Sequence, residues 1–64
     1  MKVNGEQIRV EEPLTVKTLL ERQNYTVSRI AVEVNGEIVP KAQYETFLLA
    51  DADTVEIVCF VGGG

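Results

Sequence analysis

Alternation with a period of two is clearest in the middle and at the end of the chain. In 30–34, Ile30, Val32 and Val34 fall on one face, Ala31 and Glu33 on the other. In 55–61, Val55, Ile57, Cys59 and Val61 oppose Glu56, Val58 and Phe60. Successive side chains of a strand point to opposite sides, so both stretches are predicted strands. The spacing turns helical in "VKTLLERQ" (16–23), where Val16, Leu19, Leu20 and, more weakly, Gln23 form one stripe. Thr15 is placed to cap that helix and Asn24 to close it. "MKV" and "EQIRV" are predicted strands joined by Asn4-Gly5, and "EIVP" follows 30–34 through Asn35-Gly36. Asn-Gly suits a two-residue hairpin because both central residues need positive φ. Pro13 ends the second strand. "YTVS" reads as loop, "KAQYETF" as irregular chain or one helical turn, and "LLADADT" as a turn.

The predicted order is therefore β-β-α-β-β-β. "VNGE" occurs at 3–6 and again at 34–37, which reads as two hairpins with the same turn chemistry. One small sheet packed on one helix is the two-layer solution for these elements. The last strand is the most apolar and belongs inside the sheet. Laid parallel to the first strand, it makes an α+β fold of the β-grasp type, spanning 1–61. Gly62, Gly63 and Gly64 then form a tail outside the domain. Glycine has no side chain and wide backbone freedom, so such a tail either frays or threads a narrow channel in a partner and presents its carboxylate there.

Composition narrows the chemistry. Sixty-four residues make one domain with a small core. The net charge of −4, with no basic run, argues against nucleic acid and favours a basic protein surface as partner. No apolar run approaches the length of a membrane span, and "MKVNGEQ" lacks a signal-peptide core. With one cysteine and no histidine, neither an internal disulfide nor a zinc site is expected, and a reducing cytoplasm suits the chain. Cys59 reads as a small packing residue of the last strand. Asp51 and Asp53 read as turn chemistry rather than metal ligands.

The pieces "VNGE", "TVKTLL", "AVEVNGEIVPKAQY", "LADADTVEIV" and "FVGGG" together resemble the ThiS-type sulfur carriers, small ubiquitin-like proteins of thiazole formation in thiamin biosynthesis. The resemblance covers nearly the whole chain. One departure is Ala52, where the family commonly has glycine; a turn needing positive φ would strain it. The resemblance implies a protein cosubstrate rather than an enzyme, with no catalytic residue, metal or cofactor of its own. The Gly64 carboxylate would attack ATP, held with magnesium by an E1-like, ThiF-like adenylating enzyme. Sulfur from a persulfide donor would then displace AMP, and the resulting thiocarboxylate would donate sulfur on a ThiG-like thiazole synthase. Alternatives are a carrier for molybdopterin or tRNA thiolation, or a non-catalytic β-grasp interaction module. For docking, alternation along the last strand offers Val58 and Phe60 as an apolar centre with Glu56 on its rim, provided that Phe60 is exposed.

Overall fold

The computed structural model describes residues 1–60. Seven strands and one α-helix follow in the order β1 (Lys2–Val3), β2 (Glu6–Gln7), β3 (Leu14–Thr15), α1 (Val16–Arg22), β4 (Ile30–Val34), β5 (Glu37–Val39), β6 (Leu48–Leu49) and β7 (Thr54–Cys59). Single 3₁₀ turns occupy Val27–Arg29 and Lys41–Gln43. Five strands form one sheet in the order β2-β1-β7-β4-β5, and β3 pairs with β6 in a separate ribbon. β7 lies at the centre, parallel to β1 and antiparallel to β4. This is the β-grasp arrangement.

Each element has a local cause. Both Asn-Gly turns adopt positive φ at both residues: 50° and 82° at Asn4 and Gly5, 52° and 86° at Asn35 and Gly36. That is the primed turn whose twist matches the paired strands. Thr15 caps α1, its hydroxyl accepting from the Thr18 amide at 3.1 Å. Val16, Leu19 and Leu20 turn to the core, where they meet Ile30, Val32, Val34, Val55 and Ile57. Asn24 takes φ 61° just past the helix, where asparagine tolerates the left-handed region.

Three expectations change. "LLADADT" is not all turn: Leu48–Leu49 forms β6 and pairs with Leu14–Thr15, so the single expected sheet becomes a sheet and a ribbon. The second strand ends at Gln7. The Ile8 amide still reaches the Met1 carbonyl at 2.7 Å, but the chain then leaves toward Pro13. The turn at 51–53 needs no positive φ at Ala52, so alanine is unstrained there. The domain boundary expected at 61–62 lies outside the described residues.

Candidate functional site

The strand that leads to the C-terminal glycines is paired with β4 from Val55 to Cys59 and with β1 at Thr54 and Val55. Its core face carries Val55 and Ile57, both buried. Its other face carries Glu56 and Val58, and pairing continues one residue further because the Phe60 amide donates to the Arg29 carbonyl at 2.8 Å. Val58 is 54% exposed and Phe60 55%. Phe60 is thus a surface residue, and the strand's faces are oriented as its alternation requires.

The register brings further neighbours from β4 and β5 to this face. Ala31 lies opposite Val58, Glu33 opposite Glu56, and Glu33 also opposite Ile38 of β5. Ala31 and Glu33 are half-buried and Ile38 is 66% exposed. The open face of the sheet therefore joins three exposed apolar side chains, Ile38, Val58 and Phe60, around a cross-strand pair of carboxylates. Like charges directly opposite each other destabilise a sheet. Ile38 could have been found from "EIV": with Val39 inward, alternation sends Ile38 to the open face.

Cys59 does not pack in the core as expected. It is exposed and its thiol is free. It has the parity of Ile57 and lies opposite Ile30, but β1 pairs with β7 only as far as Val55, so one flank of Cys59 has no neighbouring strand.

The two aspartates work locally. Asp53 accepts from the Ala50 amide at 2.8 Å and from the Asn35 side chain at 3.0 Å. Asp51 accepts from the Val10 amide at 3.0 Å and from the Met1 amine at 3.1 Å. The Val10 bond first, and the amine second, hold its carboxyl below the usual aspartate range. Tyr44 is pushed up by burial in the core, and Lys17 by its exposed pairing with Glu45. None of these groups lies on the open face. A groove of about 420 Å³ on the helix side, lined by Ile8, Val10, Leu14, Leu19, Arg9 and Arg22 among others, is also separate from it. Among the described residues no helix is long and apolar enough to cross a membrane. Val61 and the expected tail, Gly62, Gly63 and Gly64, lie outside the described residues.

The model of the ThiS family matches residues 1–64. The chain is 35% identical over 65 aligned positions to the sulfur carrier protein ThiS of Bacillus subtilis, covering 100% of this chain and 98% of that one. It is 42% identical over 62 residues to a thiazole synthase of Paramagnetospirillum magneticum, covering 97% of this chain but 19% of that protein. Among solved structures, the crystal structure of the thiamine biosynthesis protein ThiS from Geobacter metallireducens superposes with a TM-score of 0.84 at 33% identity, covering 98% of this chain and 96% of that one.

Proposed function

The chain belongs to the ThiS family, and from that premise we propose that it is a cytoplasmic sulfur carrier for thiazole formation in thiamin biosynthesis. The observation that supports this reading most directly is the full-length match to a ThiS sulfur carrier, joined to a sheet whose central strand leads to the glycines. In the proposed cycle the Gly64 carboxylate attacks the α-phosphorus of ATP within an E1-like adenylating enzyme, and pyrophosphate leaves. The terminal sulfur of a persulfide attacks the acyl carbon, and AMP leaves. A thiol then attacks the donor's sulfur of the acyl persulfide and breaks the original sulfur–sulfur bond, so that the donor leaves as a disulfide and the thiocarboxylate stays on Gly64. Nucleotide and magnesium belong to the enzyme. This chain supplies the acyl group and the surface by which it is recognised.

Thiazole synthase is the proposed acceptor of the sulfur. A protein of that name contains a 62-residue stretch similar to this chain within a much longer polypeptide, which fits a working association between the two. The open face around Val58, Phe60 and Glu56 is the proposed docking surface. Fixing a glycine-rich tail costs about 1–2 kcal/mol per residue, and contacts of the folded body offset that cost. Gly62 and Gly63 are proposed to be read sterically, as backbone that fits a channel too narrow for side chains.

Intact-mass analysis tests the reading. After incubation with ATP, an adenylating enzyme and a persulfide donor, the mass should rise by one oxygen-to-sulfur exchange, localised to Gly64 by fragmentation. Sulfur found only on Cys59 would overturn it. Gly63→Val should keep the wild-type melting temperature and lose adenylation.

A further inference from the structure

The repeated "VNGE" holds more than two turns. β1 and β4 flank the central strand from opposite sides, one parallel to it and one antiparallel. The Asn35-Gly36 turn therefore falls at the start of β7, beside Thr54, and the Asn4-Gly5 turn falls at its middle, just past Val55, and each asparagine side chain reaches across to the strand. Asn35 sits at the entrance: its side-chain oxygen accepts from the Thr54 amide at 3.0 Å, and its own amide donates to the Thr54 carbonyl at 2.8 Å. Asn4 sits toward the exit. Its side-chain oxygen accepts from the Ile57 amide at 2.7 Å, and its side-chain nitrogen donates to the Ile57 carbonyl at 3.3 Å.

The exit needs that contact. Backbone pairing from β1 ends where the Asn4 amide donates to the Val55 carbonyl at 2.9 Å, and the chain then reverses. On the other flank, β4 continues to pair as far as Cys59, and Arg29 holds Phe60. The Asn4 carboxamide, with one acceptor and a donor side by side, substitutes for the peptide group that β1 withdraws. Its nitrogen also donates to the Tyr25 hydroxyl at 3.3 Å, and the Tyr25 amide is bonded to the Leu20 carbonyl of α1 at 2.9 Å. The clamp thus ties β7 to the helix end as well.

We infer that Asn4 is a positioning residue for the C-terminal chemistry: its side chain holds the second flank of β7 as far as Ile57, beyond the reach of β1, and so sets the course of the strand into Phe60. The consequence for chemistry rests on the carrier reading; the clamp itself does not. Asparagine fits because it tolerates φ 50° and carries both bonding groups. Aspartate has no donor for the Ile57 carbonyl, and glycine keeps the turn but has no side chain.

Glycine therefore deletes the clamp with the turn conformation retained, and Asn35→Gly is the matched control at the start of the same strand. In the full chain, Asn4→Gly should lower amide-exchange protection at Ile57 and Phe60 by about tenfold or more, while Asn35→Gly lowers it at Thr54 and leaves Phe60 within about twofold. With an adenylating enzyme and ATP, pyrophosphate release should show KM for the carrier raised by about 3–10-fold in Asn4→Gly with kcat little changed, because the lost order is restored on docking. Asn35→Gly should stay within about twofold of wild type. Unchanged protection at Phe60, or equal kinetic losses in two fully folded variants, would overturn the inference. An enzyme that turns over another family member but not wild-type chain would instead sink the carrier reading, with exchange at Ile57 and Phe60 still deciding the clamp.

Discussion

Phe60 presents an aromatic ring to solvent on a backbone still hydrogen-bonded to Arg29. A ring so placed contributes little to folding, and in the proposed docking surface it would serve as an anchor, because an aromatic side chain on a rigid strand loses few degrees of freedom when covered. Phe60→Ala should change stability by no more than about 0.5 kcal/mol. If the proposed carrier function holds, it should weaken docking to an adenylating enzyme by about 1–3 kcal/mol, measured by calorimetric titration. A variant that melts early yet binds normally would make Phe60 a core residue in solution. Asp51 bears on stability in acid. Its native pKa lies below the unfolded value, so its contribution is complete above the ordinary aspartate range and disappears as the pH falls through the native value. Replacing it by Asn removes the charge pairing with the Met1 amine. The difference in melting temperature between wild type and Asp51→Asn should therefore shrink as the pH is taken from neutral to well below that range. A difference that stays constant would mean that Asp51 acts only as a hydrogen-bond acceptor for Val10.

At the scale of elements, α1 is seven residues long, too short to persist alone in water, and it depends on its cap and its buried stripe. Thr15→Ala removes the acceptor for the Thr18 amide and should cost about 1 kcal/mol, while Thr15→Ser retains it and should stay close to wild type in chemical denaturation. This cap, the Val16-Leu19-Leu20 stripe, both Asn-Gly turns and the alternation of β4 and β7 were legible in the sequence because each is a local signal. The Leu14–Leu49 ribbon was not. Two residues carry no period, and Leu49 becomes a strand residue only when the fold brings Leu14 beside it. Cys59 shows the complementary failure. Alternation gave its parity, but burial depends on whether a neighbouring strand extends that far, and β1 does not. Val58, Phe60 and Glu56 could be assigned to one face from a single strand. Ile38 and Glu33 take their outward parity from alternation in their own strands, but only the register sets Glu33 beside Glu56 and Ile38 beside Glu33.

For the whole molecule, the open face combines cost and opportunity. Glu33 and Glu56 face each other across β4 and β7 in a chain of net charge −4, so the free protein holds like charges together where relief would stabilise it. Around them lie Ile38, Val58 and Phe60, apolar and exposed. A partner that brings a basic side chain to this face would relieve the repulsion and cover the apolar surface in one event. The acidic field would also draw such a partner in before contact, since charge steering acts over about a Debye length. Stability and docking should therefore respond in opposite directions to one substitution. Glu56→Gln should raise the melting temperature by about 1–3 °C by removing one member of the pair. On the proposed function, the same variant should slow association with an adenylating enzyme several-fold at low salt, with a smaller effect on dissociation. Raising the ionic strength should erase most of the difference in association rate between variant and wild type, as screening removes the steering that the substitution weakens. Stopped-flow association at two salt concentrations, alongside thermal melts, measures both. A variant that gains stability and associates at the wild-type rate at low salt would show that partners approach without using the carboxylates of this face.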